Sequence, residues 1–299
     1  RRMVRVVRPP ARGVVFVDTL LSWSTGHQPG RTTVGVLPQR AAGGTRPDSP
    51  FGLAAVIASP HRYPDQWDLE TVLRQAERIG VRWLRGGWIP LQDTMTDQEL
   101  AAARSRLSAL KRHGILPHTQ MAASVPPPDE VQALKSRLAT SLQRLPEAGE
   151  YIEVGNELNY SATAPEYVER LLRPVHDVMR EVRPDAKIMT MGLGGVMRDW
   201  LAAFVAAGGL DLADVLSIHP GCHPRAPEFW EDWRGWVFRP QVQDALAAAR
   251  DHGARELWIT EAYAPVNHFR SSVDLRTAAD YLVRTYVCAI ALGVKVTEW

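Results

Sequence analysis

Two glutamates directly follow or closely follow apolar segments of the sequence. A charged residue at the end of a buried segment is not explained by burial. The segment Tyr151–Val154 is closely followed by the pair Asn156-Glu157, and residues 257–260 are followed by Glu261. Short apolar runs bounded by turn residues are typical of buried strands. A carboxylate costs several kcal/mol to bury unless it is paired or used. Both glutamates are therefore candidates for chemistry, and the other elements are expected to bring them together.

Strand-like and helix-like segments alternate from residue 51 onward. Apolar segments predict strands at 51–58, 81–85, 115–120, 151–154, 187–191, 215–218, 257–260 and 294–297. Helical spacing of apolar residues predicts helices at 67–79, 97–113, 129–145, 163–183, 197–207, 240–252 and 275–292.

Helix start and stop signals support these segments. Thr96 with Glu99 and Thr163 with Glu166 have the spacing of capping boxes. Asp129 is expected to cap the third helix, and glycines follow the ends of several helices. The boundaries are therefore marked by residues that satisfy helix termini.

Eight strands alternating with seven helices predict an α/β protein with a closed (β/α)₈ TIM barrel over residues 50–299. An open doubly wound sheet is the alternative. The residues after the first strand, Ser59-Pro60-His61, lack the glycine-rich phosphate turn of that fold. The pattern therefore favours the barrel.

Residues 1–49 are assigned to a separate N-terminal extension. Short strands are predicted at 14–17 and 32–37, but prolines and glycines interrupt the pattern. The extension is too small for a core of its own. We expect either the remnant of a β-domain or an irregular segment packed against the barrel.

Composition narrows the possible partners. The net charge is +2 and most basic residues are dispersed among acids, which gives no reason to expect nucleic acid. No run is long enough for a membrane span, and Cys222 and Cys288 do not make a disulfide framework. The sequence leaves the oligomeric state open. A secreted or cell-envelope location is favoured over a cytoplasmic one.

The active site of such a barrel lies at the carboxyl ends of its strands. Polar residues at or near these predicted ends are Arg85, His118, Gln120, Asn156, Glu157, His219, Glu261 and Glu298. Glu157 and Glu261 follow the fourth and seventh strands, so they are expected to face each other. Two opposed carboxyls suit glycoside hydrolysis, because one can protonate the leaving oxygen while the other attacks the anomeric carbon. A carbohydrate substrate and no cofactor are expected.

These residues resemble the motifs of clan A glycoside hydrolases, whose two catalytic carboxyls follow strands four and seven. The resemblance covers about residues 51–299 and is nearest to the family 39-like bacterial glycosidases. It rests on residues 81–85, 152–157, 218–220 and 258–261, and on Trp299.

The resemblance implies a retaining double displacement in which Glu157 is acid/base and Glu261 is nucleophile. It further implies that Asn156 binds the sugar 2-hydroxyl and that Arg85 holds Glu261. His118, His219, Tyr263 and Trp299 are assigned to the substrate site. Arg85 is expected at the mouth, where its removal would reduce turnover without unfolding the protein.

The sequence departs from the family pattern after the sixth strand. Gly221 stands where a tyrosine often contacts the nucleophile, and Tyr263 is the candidate replacement. The departure keeps open a catalytically silent, sugar-binding barrel of a polysaccharide-processing system. Leu158, which replaces a frequent proline, is expected to be tolerated.

Other clusters have two interpretations each. His61, His118, His219, Cys222 and His223 could approach one another as metal ligands, but they lack the spacing of a known metal motif. Trp88, Trp230, Trp233 and Trp236 could contact sugar or pack locally. Glu298 is expected to have a structural role. No metal is assigned.

Overall fold

The computed structural model describes most of the chain beyond residue 45. Described are residues 46–54, 69–88 (backbone only for 87 and 88), 96–121, 123–148, 150–221, 224–229, 237–252, 255–266 and 272–299, and the backbone of 13–23 and 26–36. The chain divides into two compact units, Arg1–Gly43 and Gly44–Trp299. Several residues named above lie outside the described residues: Ser59, His61, Cys222, His223, Trp230, Trp233, Trp236 and the side chain of Trp88.

The N-terminal unit contains an antiparallel strand pair. Strands β1 (Gly13–Trp23) and β2 (Gly26–Val36) pair from Gly13 opposite Val36 to Trp23 opposite Gly26. The predicted strands at 14–17 and 32–37 fall mostly within this pair, and each observed strand is longer than predicted.

The second unit is a closed barrel of eight parallel strands. They are β3 (Phe51–Ala54), β4 (Trp83–Trp88), β5 (Leu116–Met121), β6 (Tyr151–Val154), β7 (Lys187–Met189), β9 (Val215–His219), β10 (Glu256–Ile259) and β11 (Val296–Glu298). A two-residue strand, β8 (Leu193–Gly194), adds to β9. The sheet closes where Thr297 of β11 pairs with Phe51 of β3. The predicted (β/α)₈ barrel is confirmed.

Helices connect the strands in the described part of the chain. They are α1 (Leu69–Ile79), α2 (Asp97–Arg112), α3 (Val131–Arg144), α4 (Ala164–Tyr167), α5 (Arg173–Val182), α6 (Arg198–Ala206), α7 (Phe238–Asp251) and α8 (Leu275–Leu292). A π-helical turn, Val168–Leu172, joins α4 to α5, so seven helical segments alternate with the strands. None of these helices is both long and apolar enough to cross a membrane.

The predicted helix signals are largely confirmed. Both capping boxes are formed; Thr96 N, for example, donates to Glu99 Oε2 at 2.8 Å. The predicted cap at Asp129 is wrong. Asp129 lies inside a 3₁₀ turn, Pro128–Glu130, and α3 follows it with no side-chain cap. The 3₁₀ turn begins at Pro128 because proline favours the first position of a helical segment.

The two faces of each strand have different neighbours. Outward residues pack with the helices in the main core; they include Leu84, Ile152, Ile188, Ile218 and Ile259. Inward residues near the amino ends form a second cluster of Trp83, Tyr151, Met189, Val215, Trp258 and Val296. Its rings come from strands that are not neighbours, and the Trp83 and Trp258 ring centres lie 4.7 Å apart. This cluster therefore fills the barrel interior below the site.

Candidate active site

A polar layer replaces the apolar one two residues further along the same strands. Since side chains alternate along a strand, Arg85 shares the inward face with Trp83, Glu153 with Tyr151, and Glu298 with Val296. The layer consists of Arg85, His118, Glu153, Ser217, Thr260 and Glu298, all buried. The barrel thus holds an ionic network between its apolar floor and its mouth.

Glu153 is the centre of this network. Its Oε1 accepts hydrogen bonds from Ser217 Oγ and Thr260 Oγ1, each at 2.7 Å. Its Oε2 accepts one from Arg85 Nε at 2.7 Å. Burial raises the pKa of Glu153, but the Arg85 cation above all, and the hydrogen bond from Thr260, lower it more, and the pKa falls to about 2. Glu153 is therefore a buried carboxylate at neutral pH.

Glu153 was not predicted as a site residue. The available signal was an acid at the third position of the apolar segment Tyr151–Val154. A charge inside a buried strand requires a partner, and the sequence does not say which cation lies opposite.

Arg85 connects the buried network to the mouth. Its Nη1 donates to Glu261 Oε2 at 3.0 Å, and its Nη2 donates to Asn156 Oδ1 at 2.6 Å. Burial alone would lower the pKa of Arg85, but Glu153 and Glu261 raise it above its ordinary value. The guanidinium therefore stays charged while it holds both residues.

The predicted position of Arg85 at a strand end is wrong. Strand β4 was expected at 81–85 but extends over Trp83–Trp88, so Arg85 lies inside the strand. Only 8 % of its surface is exposed. Backbone pairing with β5 continues past Arg85 and carries the strand further than the apolar run suggested.

Glu157 enters the mouth from a tight turn after β6. Its φ of 49° is the one positive value among the described non-glycine residues, and it follows Gly155 with φ 92°. The left-handed conformation costs roughly 1–2 kcal/mol for such a residue. The turn is held by a hydrogen bond from Glu157 N to Gly192 O at 3.0 Å. From this turn the Glu157 carboxyl reaches His219, whose Nδ1 lies 3.0 Å from Oε1.

The structure brings Glu157 and Glu261 together around one imidazole nitrogen. His219 Nδ1 lies 3.0 Å from Glu157 Oε1 and 3.9 Å from Glu261 Oε2. These two oxygens are therefore at most about 7 Å apart, within the range of paired glycosidase carboxyls. About a third of each glutamate side chain is exposed, so both can meet a ligand.

The hydrogen bonds assign the tautomer of a neutral His219. Thr260 has a single hydroxyl proton, which it donates to the carboxylate of Glu153. Thr260 Oγ1 must then accept from His219 Nε2, 3.0 Å away. Nδ1 of the neutral ring is left as an acceptor facing Glu157 Oε1.

Asn156 is oriented by two donors. Its Oδ1 accepts from Arg85 Nη2 and from Gln120 Nε2, the latter at 3.0 Å. With the oxygen engaged, the amide nitrogen is the group that remains to donate to a ligand. The side chain is exposed at the mouth, next to the Glu157 turn.

The other predicted site residues lie in different surroundings. Tyr263, on the segment after β10, is 47 % exposed. Trp299 continues β11, with backbone hydrogen bonds to Gly52 and Ala54, and its partly buried side chain packs on the main core. Gly221 O accepts from Gln241 Nε2 at 3.0 Å, which ties this loop to α7.

His118 lies below the mouth, without exposed surface. Its Nδ1 is 2.8 Å from Glu298 Oε2, and its Nε2 is 3.6 Å from Glu153 Oε2. Glu298 Oε1 is buried and has no hydrogen-bond partner among the described residues. Burial, reinforced by the charge of Glu153, raises the pKa of Glu298 against the opposing effects of His118 and Arg85. Both residues therefore belong to the buried network.

In the described part of the chain, no three His, Cys, Asp or Glu side chains are grouped as metal ligands. His118 and His219 each face a carboxylate.

Fold and site together define a (β/α)₈ barrel with two carboxyls at its mouth, each in contact with a buried arginine or histidine. Solved structures with this fold include an exo-β-1,4-mannosidase from Opitutaceae bacterium strain TAV5, with TM-score 0.59, 17 % identity and coverage of 84 % of this chain and 51 % of that one. A monomeric β-xylosidase from Caulobacter crescentus CB15 has TM-score 0.63 and 16 % identity, covering 87 % and 61 %. A family 1 β-glucosidase from Thermotoga maritima has TM-score 0.55 and 14 % identity, covering 86 % and 89 %.

These structural neighbours are glycoside hydrolases, and at such identities the likeness shows the fold alone. The aligned region spans only about half to three fifths of the mannosidase and the xylosidase. No family model matches the sequence, and no curated protein matches it.

Proposed function

We propose that the protein is a retaining glycoside hydrolase that cleaves O-glycosidic bonds of an oligo- or polysaccharide. The observation that carries the proposal is the placement of Glu157 and Glu261 on either side of His219 Nδ1. Retaining enzymes have carboxyls ~5–5.5 Å apart, and inverting enzymes need roughly 6.5–9.5 Å to admit water. The upper limit of about 7 Å between Glu157 Oε1 and Glu261 Oε2 is compatible with the shorter class, which is the class that the resemblance implies.

Glu261 is the nucleophile in this proposal. Arg85 Nη1 donates a hydrogen bond to its Oε2 at 3.0 Å, which orients the carboxylate and places a positive charge beside it. Glu261 would attack the anomeric carbon and form a glycosyl-enzyme, which water then hydrolyses.

Glu157 is the acid and then the base. The acceptor nitrogen of His219 faces the Glu157 carboxyl at 3.0 Å, and this carboxyl in its protonated form would donate to the leaving oxygen. Asn156, with its Oδ1 held by Arg85, would donate its amide nitrogen to the sugar 2-hydroxyl. By the resemblance of its motifs, the proposal places the protein among clan A enzymes, nearest to the family 39-like glycosidases.

The test uses aryl β-glycosides of mannose, xylose and glucose with the wild type, Glu157→Ala and Glu261→Ala. Glu157→Ala is expected to retain a burst with a dinitrophenyl glycoside, because that leaving group needs no proton. Azide should then release the retained glycosyl azide. Glu261→Ala lacks the nucleophile and should give only the inverted glycosyl azide.

Two results would change the assignment. Rescue of Glu261→Ala to the retained product would exchange the two roles, and an inverted first product of the wild type, seen by NMR, would exclude retention. Saturable sugar binding without turnover of any substrate would exclude the proposed enzyme activity and favour the alternative, a catalytically silent sugar-binding barrel. The motive for that alternative is Gly221, which offers no hydroxyl near the proposed nucleophile.

A further inference from the structure

A cleft of about 1100 Å³ opens on the mouth face of the barrel, and Asn159 and Tyr160, which follow the Glu157 turn, are part of its lining. The segment after β6, the turn after β8 and the first turns of α4, α6 and α7 form its walls. Its lining includes Tyr160, Met197, Arg198, Trp200, Ala203 and Asp244. Single small-molecule pockets occupy ~300–1,000 Å³, so this cleft has room for more than one sugar ring.

Gly194 joins the cleft to the proposed acid. A Cβ on Gly194 would lie 2.5 Å from Tyr160 Cε2 and 2.9 Å from Glu157 Cδ. Both side chains therefore pack against the same glycine, which places the Tyr160 ring near the Glu157 carboxyl. Tyr160 is 57 % exposed. An exposed ring beside the acid is a surface on which a sugar face can stack.

The cleft is preformed by side-chain hydrogen bonds to backbone. Asn159 accepts from Gly194 N at 3.0 Å and donates to Gly194 O at 2.9 Å, which joins the walls after β6 and β8. Gln241 accepts from Val196 N at 3.0 Å and ties the β8 turn to α7. The walls are therefore held without a ligand, and binding needs little ordering.

The charges at the rim are of mixed sign. Arg198 Nε donates to Asp244 Oδ2 at 2.6 Å, and Asp199 lies beside them in the lining. Paired charges with one further acid favour a neutral, hydroxyl-rich ligand over a polyanion. Exposed Tyr160 and Met197 provide the apolar surface that complements the C–H faces of sugars.

We propose that this cleft binds the leaving-group side of a β-linked oligosaccharide, with Tyr160 supporting the first sugar beyond the cleaved bond. The inference rests on the proposed function, since it places the leaving group next to the acid Glu157. It predicts that the enzyme prefers oligosaccharides of several units over aryl glycosides of one sugar.

The test blocks the cleft by placing a tryptophan at one of two neighbouring alanine positions of α6. Ala202 and Ala203 are both exposed, and only Ala203 lines the cleft. Ala203→Trp would fill it, and Ala202→Trp is the matched control. The readout is kcat/KM for β-linked tri- and tetrasaccharides of mannose, xylose or glucose, divided by kcat/KM for the aryl glycoside of the same sugar.

This ratio should fall about tenfold or more in Ala203→Trp, mainly through KM, and stay within about twofold of wild type in Ala202→Trp. Tyr160→Ala should lower the ratio as well, and Tyr160→Phe, which keeps the ring, should restore most of it. Thermal unfolding checks that each variant is folded.

Two failures are distinguishable. If the wild type hydrolyses aryl glycosides but the ratio moves equally in both tryptophan variants and not in Tyr160→Ala, the cleft proposal is overturned and the proposed function stands. If the wild type hydrolyses no member of the panel, both proposals are overturned.

Discussion

Glu153 Oε2 accepts a hydrogen bond from Arg85 Nε at 2.7 Å in a part of the barrel that solvent does not reach. The same guanidinium donates to Glu261 at the mouth. The proposed nucleophile is therefore supported from below by a buried ion pair, and the stability of the barrel and the chemistry of its mouth depend on one side chain.

Replacing Arg85 should affect stability as well as turnover. Arg85→Ala leaves Glu153 buried without its principal cation, so we expect a loss of roughly 3–5 kcal/mol in the free energy of unfolding. This differs from the expectation drawn from the sequence, because Arg85 is buried. Arg85→Lys keeps the charge but cannot contact three acceptors in a plane; it should be more stable than Arg85→Ala yet lose turnover by about 10²–10³. Urea unfolding and aryl glycoside kinetics provide the measurements. Unchanged stability of Arg85→Ala would show that the ion pair between Arg85 and Glu153 does not stabilise the fold.

Two buried glutamates provide a matched pair of substitutions. Glu153→Gln removes a charge that three donors surround and turns an NH₂ group toward them, so a loss of about 3 kcal/mol or more is expected. Glu298 has a raised pKa and an oxygen without a partner among the described residues. Glu298→Gln should therefore change stability by only about 1 kcal/mol. Equal effects in chemical denaturation would argue against a charged Glu153 beside a more readily protonated Glu298.

Acid should weaken the fold through Glu153. Its pKa is about 2 in the folded protein, compared with ~4.3 for an unperturbed glutamate. A lowered folded pKa contributes stability that is complete above the unfolded value and is lost as pH falls toward the folded one. The difference corresponds to about 3 kcal/mol. Glu298, with a raised pKa, contributes in the opposite direction, most strongly at low pH.

Urea unfolding between about pH 2 and pH 6 measures this dependence. Glu153→Gln should flatten the loss of stability on the acid side, and Glu298→Gln should make it steeper. An unchanged pH slope in Glu153→Gln would show that other carboxyls dominate.

Thr260 should control the proton on His219. Thr260→Val keeps the shape of the side chain but removes the acceptor of His219 Nε2. The imidazole is then no longer held with Nδ1 as acceptor toward Glu157, so kcat should fall while KM changes little. Thr260→Ser retains the hydroxyl and should stay near wild type. Equal kcat values for Thr260→Val and Thr260→Ser would show that the orientation of His219 does not matter for turnover.

Gly192 provides the space for His219. A Cβ at this position would lie 1.9 Å from His219 Nε2, so Gly192→Ala must displace the ring. We expect a stability loss of about 1–3 kcal/mol together with reduced kcat. In a double-mutant cycle with His219→Ala, the methyl group has room, and the cost of Gly192→Ala should be smaller. A strictly additive cycle would mean that the clash is relieved by other movements.

The sequence by itself determined the barrel and the strand ends from which Glu157 and Glu261 approach each other. The alternation of apolar segments with capped helices depends on local periodicity, so it can be read without coordinates. Parallel strands in a closed sheet end on one face. This is why residues after the fourth and seventh strands, Glu157 and Glu261, were expected to converge.

Only the tertiary structure decided which charges lie beneath them. Glu153 and Glu298 lie within or at the end of apolar segments. The alternation of side chains along a strand shows which residues of the same strand share a face with each glutamate. It does not show which of the two faces points into the barrel. His118 was expected in the substrate site and lies fully buried beside Glu298. Its neighbours come from strands up to 180 residues away. Barrel closure sets those distances, and they determine whether a buried carboxylate is stabilised by a cation or remains protonated.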